Sequence, residues 1–189
     1  MNIDLSTIMK KKILMLARST IAAKLNIDFN LDDDDFSDPL FLMKCGAFVT
    51  LHIDGSLRGC IGYIQGFGPL HQTIIEMAEA AAFKDPRFPP VSVGEFKSID
   101  IEISILSPIV SVDSIQDIVI GRDGIIIKKG YNSGLLLPQV ATEYNWNVEQ
   151  FLEHTCMKAG LDKDEWKKGK VSIEKFSAYV FGEMDHDLI

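Results

Sequence analysis

The hexapeptide LRGCIG at residues 57–62 carries the side chains of this chain that are most suited to covalent or redox chemistry. A cysteine thiolate is a nucleophile, and a nearby guanidinium favours the thiolate form. Arg58 precedes Cys60 by two residues, which is the spacing of neighbours on one face of a strand. Gly59 and Gly62 lack side chains and so leave room near the sulfur for a ligand or another backbone. The alternative interpretation is structural, because a free cysteine is often a small buried apolar residue.

A β-hairpin is predicted to position this hexapeptide. Residues 47–53 alternate between apolar and polar types, Asp54-Gly55 is a turn signal, and residues 57–64 form the returning strand. A two-residue Asp-Gly loop is the preferred local turn, but it mixes apolar and polar side chains on both faces. We therefore predict a three-residue loop, because the buried apolar pattern should set the register. This register groups a polar face consisting of Phe48, Thr50, His52, Arg58, Cys60 and Gly62.

Two further side chains could move protons near Cys60. His52 lies on the predicted polar face and could deprotonate the thiol or orient a ligand. Glu102 lies on the polar side of a predicted strand at residues 99–105 and could act as a general base if partly buried. Each has a simpler interpretation, since a strand histidine is often only exposed and a carboxylate on a polar strand face is often only solvated.

Residues at the end of one predicted helix and at the start of another could also contribute to a binding site. Asp85 and Arg87, in the DPRFPP motif at residues 85–90, could join Arg58 around an anionic ligand. The favoured alternative is that they pair with each other and fix the loop between the prolines. Gln139 could shape a pocket, or it could simply begin a helix together with Pro138.

Composition limits the partners and the compartment. The formal net charge is −8, which argues against nucleic acid as the main partner because such binding depends on Lys and Arg neutralising phosphates. An odd number of cysteines, three, without a Cys-x-x-Cys motif predicts reduced thiols in a cytoplasmic protein. No stretch approaches the roughly 20 apolar residues that span a bilayer, and the first ten residues lack a signal-peptide core.

No metal and no cofactor are predicted. The histidines His71, His154 and His186 do not pair at metal-binding spacing. The acidic run at residues 32–35 lacks the spaced ligands and the central glycine of a calcium loop, so we interpret it as an exposed loop.

The order of predicted elements indicates the fold class. Strands arrive as hairpins instead of alternating regularly with helices, which favours α+β with a largely antiparallel sheet flanked by helices. Helices are predicted at residues 5–25, 70–83 and 148–159, with Asn147 as the cap of the last one. Strands are predicted at 99–105, 117–120, 125–129 and 171–181, a loop at 130–134 and a loose tail at 184–189.

Six sequence blocks together resemble the AMMECR family. They extend in order from about residue 10 to Glu183 and comprise GAFVTL at 46–51, LRGCIG at 57–62, DPRFPP at 85–90, IEISIL at 101–106, LLPQV at 136–140 and KAGL at 158–161. The resemblance implies a single AMMECR-like domain over residues 1–189, with an ordered part at 5–183, a larger and a smaller lobe, and a cleft near the hexapeptide. It does not imply a settled reaction. Prokaryotic relatives tend to be associated with a Memo-like protein and a radical S-adenosylmethionine enzyme, which suggests a shared pathway.

Two functions from different classes remain open. The first, slightly favoured, is a binding module whose cleft at residues 57–62 holds an unknown small molecule or protein partner while Cys60 only packs. The second is an enzyme that modifies a small molecule, peptide or RNA, with Cys60 as the covalent or redox residue and Arg58 stabilising the thiolate. The oligomeric state is not predicted. A third hypothesis, regulation of transcription through DNA, conflicts with the acidic charge.

Overall fold

The chain forms two compact units in the computed structural model, which describes residues 5–29, 31 and 35–185. The first unit runs to Leu106 and resumes at Tyr179, and the second comprises Ser107–Ala178. Most of the acidic run, residues 32–34, lies outside the described residues, as do residues 186–189 of the expected tail.

The first unit packs helices against one face of an antiparallel sheet. Its helices are α1 (Thr7–Lys24), α2 (Pro39–Leu42) and α3 (Leu70–Phe83), and its first strands are β1 (Ala47–Ile53), β2 (Ser56–Tyr63) and β3 (Ile99–Leu106). β1 lies between β2 and β3 and pairs antiparallel with both, so β2 is the terminal strand on this side of the sheet.

Helical periodicity explains the core of the first unit. The buried residues of α3 recur at three- and four-residue spacing and include Ile74, Ala78 and Ala81. Ile75 is 36% exposed because it lies about 100° around the helix from Ile74. On the sheet, the alternate residues of β3 from Ile99 to Ile105 are buried, which confirms the predicted half-buried strand.

The hairpin between β1 and β2 corrects the predicted loop length. Ile53 pairs with Ser56 across a two-residue Asp54-Gly55 turn, in which both residues have positive φ, at 50° and 73°. A bulge then inserts Arg58 between the pairs His52–Leu57 and Leu51–Gly59. The three-residue loop is therefore wrong, because the bulge supplies the one-residue shift that the buried pattern requires.

Beyond the bulge, the faces agree with the predicted pattern. Val49 and Leu51 pair with Ile61 and Gly59, on the side covered by α3. The opposite side of the three strands, here called the polar face, consists of Phe48, Thr50, His52, Cys60, Gly62, Asp100, Glu102 and Ser104, and all of these residues are half-buried.

The second unit has antiparallel strands and its own core. It contains β4 (Val110–Ser111), β5 (Asp123–Lys129), β6 (Asn132–Leu136), α4 (Pro138–Glu143), α5 (Val148–Lys158) and the first part of β7 (Ser172–Gly182). β5 pairs with β6 and β7, and α5 begins with the predicted Asn147 cap, completed by a reciprocal Gln150 hydrogen bond. The end of β7 returns to the first unit, where Glu183 N donates to Ile101 O at 3.0 Å.

Two predictions for the second unit are wrong. Residues 117–120 are not a strand, because a short 3₁₀ helix at Ile115–Asp117 occupies the start of that stretch. Residues 130–134 are not a loop: Lys129 pairs with Asn132 across a two-residue turn, and Gly134 lies within β6. A Cβ at Gly134 would come within 2.5 Å of Ala159 N, so this glycine serves close packing of α5 on the strand and not a turn.

The described structure confirms the α+β class, with helices flanking antiparallel strands. Among the residues that the structure describes, none of the helices is long and apolar enough to cross a membrane.

Candidate functional site

Three neighbouring strands bring the sequence candidates of the first unit into one row on the polar face. Thr50 of β1 lies opposite Cys60 on β2 and opposite Glu102 on β3. His52, two residues along β1, lies opposite Asp100. Directly opposed side chains on one face have Cβ atoms roughly 5 Å apart, so the thiol, the hydroxyl, the imidazole and two carboxylates form a contiguous polar surface.

Thr50 makes a side-chain hydrogen bond to the Cys60 thiol. Its Oγ1 donates to Cys60 Sγ at 3.3 Å, and the cysteine is half-buried. The other two cysteines, Cys45 and Cys156, are buried, and burial raises the pKa of the Cys45 thiol to about 11. Cys60 is therefore the most exposed of the three cysteines.

The carboxylates of the polar face lie in a low-dielectric environment. Burial raises the pKa of Glu102, and the neighbouring His52 partly opposes this shift. Burial also raises the pKa of Asp100, to which the negative charge of Glu183 adds. Asp100 Oδ1 is buried without a hydrogen-bond partner in the described part of the chain. The face thus offers acceptors that no donor of the described protein satisfies.

Two glycines of the hexapeptide allow close packing. A Cβ at Gly59 would lie 2.2 Å from Ala81 O, so only glycine lets β2 approach the backbone of α3. A Cβ at Gly62 would lie 2.2 Å from the ring of Phe48, which covers this position from β1. The predicted ligand-binding role of Gly59 and Gly62 remains a prediction, while the packing role follows from these distances.

Arg58 is anchored away from the thiol. Its Nε donates to Glu95 Oε1 at 2.8 Å, its Nη2 donates to Oε2, and its guanidinium lies over the Phe88 ring. The pKa of Glu95 is lowered to about 2, first by Arg58 and then by hydrogen bonds from Ser92. The structure records no contact between Arg58 and Cys60, which the sequence prediction had placed side by side.

Asp85 and Arg87 instead contact Cys60, through its main chain. Asp85 Oδ2 accepts from Cys60 N at 2.9 Å, and Arg87 Nη2 donates to Cys60 O at 3.2 Å. The two side chains also pair with each other, as Arg87 Nε donates to Oδ1 at 2.9 Å and Nη2 to Oδ2 at 2.6 Å. This guanidinium, and then the Cys60 amide, hold the pKa of Asp85 well below its usual range although burial opposes the shift.

Gln139 belongs to the second unit, whereas the other candidate residues belong to the first. It occupies the first turn of α4 in the second unit, where its side chain is exposed. In the described ranges, no group of three or more His, Cys, Asp or Glu side chains is arranged to hold a metal ion.

Two residues of this region were not identified from the sequence. Glu95 follows Arg58 by 37 residues, and no local pattern links them. Asp100 shows the same strand alternation as Glu102 and could have been found by that signal, but its place opposite His52 depends on the pairing of β1 with β3.

Comparison with known proteins defines the class of this fold and site. The AMMECR1 family model matches residues 14–181, a span that runs through both compact units. The chain therefore belongs to the AMMECR1 family.

Archaeal relatives agree with this assignment. A protein of Methanothermobacter thermautotrophicus is 43% identical over 179 residues, covering 92% of this chain and 93% of its own length. Protein MJ0810 of Methanocaldococcus jannaschii is 47% identical over 154 residues, 77% of each chain. The crystal structure of the uncharacterised protein PH0010 from Pyrococcus horikoshii superposes with a TM-score of 0.78 at 38% identity, covering 92% of this chain and 91% of that one.

Proposed function

We propose that the polar face of the first unit is the binding surface for a small molecule or partner group that presents hydrogen-bond donors, with Cys60 at its edge. The observation that carries this proposal is the imbalance between acceptors and donors on the face. Glu102 and Asp100 have no hydrogen-bond donor among the described residues, and Asp100 Oδ1 is buried. An acceptor left unpaired in a buried site costs free energy that a bound donor would recover.

The basic side chains around the face support the same preference. Arg58 pairs with Glu95 through Nε and Nη2, while its Nη1 is buried without a hydrogen-bond partner among the described residues, and Arg87 pairs with Asp85. Arg18 is held by Glu183 and by two backbone carbonyls. With these guanidinium groups already paired, an anionic ligand would find weak compensation, whereas an ammonium or guanidinium group would pair with Glu102 and Asp100.

The hexapeptide itself supports a site at Cys60. Arg58 anchors the bulge, Gly59 and Gly62 permit close packing, and Ile61 packs against the first core. Structural demands therefore account for the neighbours of Cys60, while the thiol remains half-buried beside Thr50 on the polar face. The free cysteines support a cytoplasmic setting for this proposal.

Thermal shift with matched compounds tests the proposal. One set carries ammonium or guanidinium groups, and the other carries carboxylate or phosphate groups on the same scaffolds. At a hundredfold excess over Kd, binding stabilises by about 2.7 kcal/mol, which raises the Tm of a chain of this size by about 5–10 °C. We expect this shift from the cationic set, and its loss in Glu102→Gln.

The control is Glu143→Gln, which removes an exposed acid from the second unit and should leave the shift intact. A response to the anionic set alone, or an equal response in Glu102→Gln and wild type, would contradict the proposed ligand class.

A second candidate, an enzyme that uses Cys60 covalently, is favoured by the Thr50 Oγ1 to Cys60 Sγ hydrogen bond. A hydroxyl donor stabilises negative charge on sulfur, and His52 and Glu102 lie on the same face to handle protons. We expect iodoacetamide at pH 8 to label Cys60 well before Cys45, and Thr50→Val to slow the labelling. Peptide mapping by mass spectrometry gives both rates. Equal labelling of Cys60 and Cys45 only upon unfolding would remove this candidate.

A further inference from the structure

The outer edge of β2 is closed at Cys60 by side chains and not by another strand. β2 is the terminal strand of its sheet, so alternate main-chain groups point outward without a ladder partner. At Cys60 both outward groups are nevertheless satisfied: the N–H donates to Asp85 Oδ2, and the C=O accepts from Arg87 Nη2. Asp85 and Arg87 thus supply the acceptor and the donor that the main chain of a neighbouring strand would otherwise supply.

The pair that supplies these bonds is held by several contacts of its own. The Asp85 side chain is only 2% exposed and receives both guanidinium nitrogens of Arg87 in a fork geometry. It also accepts from the Arg87 main-chain N–H at 3.1 Å, so the carboxylate has four protein donors counting Cys60 N. Arg87 Cζ lies 5.5 Å from the centre of the Phe88 ring, which restricts the guanidinium further.

We propose that Asp85 and Arg87 are positioning residues that hold Cys60 by its main chain and thereby set where its thiol stands on the polar face. Their charged groups pair with each other and hydrogen-bond to the Cys60 peptide groups, so we assign them a positioning role and not a role in ligand binding. We call Asp85 and Arg87 the clamp. They belong to the DPRFPP motif, which follows the end of α3 and lies at the edge of β2. The proposal rests on the proposed function only in taking Cys60 as a member of the site.

The second unit contains a matched control pair. Arg122 Nε and Nη2 donate to Asp123 at 2.7 and 2.8 Å, with a buried carboxylate and an exposed guanidinium as in the clamp. Asp123 also accepts from Val119 N and lies 3.6 Å from Lys175 Nζ, within the second unit. Substitutions in this pair therefore measure how much the loss of such an ion pair lowers stability in general.

The test compares Asp85→Asn and Arg87→Gln with Asp123→Asn and Arg122→Gln in the full chain, without any ligand. Hydrogen bonds to charged groups are about twice as strong as neutral ones, so we expect the Cys60 amide to exchange about tenfold faster in Asp85→Asn. We expect the rate of Cys60 alkylation to change at least threefold in Arg87→Gln, and Arg87→Lys not to restore it because lysine lacks the fork.

Site-specific readouts separate positioning from stability. The control variants should lower Tm to a similar extent while leaving the Cys60 amide and thiol rates unchanged. Unchanged Cys60 rates in both clamp variants, or equal changes in the control variants, would overturn the proposal. Since no ligand is present, this result is independent of whether cationic compounds bind the polar face.

Discussion

Gly59→Ala is the substitution whose cost the structure defines most directly. The added Cβ would lie 2.2 Å from Ala81 O and 3.2 Å from Ala81 C, and both atoms belong to the backbone of α3. A backbone atom inside a packed helix cannot rotate away as a side chain can, so β2 and α3 must separate. Overpacking of this kind costs about 3 kcal/mol at the upper end of its usual range.

The unfolded state offsets part of this cost. Alanine has less backbone freedom than glycine and stabilises by about 0.7 kcal/mol where its conformation is allowed. The net loss is then about 2 kcal/mol, which lowers Tm by about 4–8 °C for a chain of this size. Thermal unfolding followed by circular dichroism measures the shift.

Gly94→Ala is the matched control for this substitution. Its Cβ would meet nothing nearer than Ser92 Oγ at 3.9 Å, so we expect a change within about 0.5 kcal/mol. If Gly59→Ala and Gly94→Ala unfold at the same temperature, the close approach of β2 to α3 is incorrect, and with it the face on which Cys60 stands.

Two acid titrations follow from the ion pairs. The pKa of Glu95 falls from 4.5 to about 2 on folding, so its contribution to stability is complete above pH 4.5 and is lost as the pH falls to about 2. Glu95→Gln should therefore have a lower free energy of unfolding than wild type at pH 7. Urea unfolding should show this difference shrinking as the pH falls from 4.5 to about 2. Glu165, buried between Lys129 and Lys168, also has its pKa lowered to about 2, so Glu165→Gln should show the same closing gap. A gap that stays constant from pH 7 to pH 2 would contradict either assignment.

Burial periodicity allowed much of the fold to be predicted. The boundaries of α3 and the alternation of β3 follow from which side chains avoid water, and a capping residue marks the start of α5. Such signals are local, so a single sequence carries them. The short α2 helix at Pro39–Leu42 was missed because four residues do not establish a period.

The hairpin shows where local signals conflict. Asp54-Gly55 indicated a two-residue turn, while the buried pattern indicated an odd number of loop residues. The structure satisfies both through the bulge at Arg58, at the cost of one unpaired residue. The sequence alone could not place that residue, because the stabilising partner of Arg58 is Glu95, in a loop beyond α3.

The bulge also decides the chemistry available to Cys60. In a regular strand, Arg58 and Cys60 would share a face, and the guanidinium would favour a thiolate. With Arg58 turned to Glu95, and with Arg87 held by Asp85, both guanidinium groups serve the scaffold. The thiol accepts a hydrogen bond from Thr50, and the Glu102 and Asp100 carboxylates lie on the same face, where Asp100 Oδ1 lacks a donor among the described residues. Guanidinium groups that pair with carboxylates, beside an Asp100 oxygen that lacks a donor among the described residues, support our proposal of a ligand that brings donors, although the same arginines suggested an anion site in the sequence.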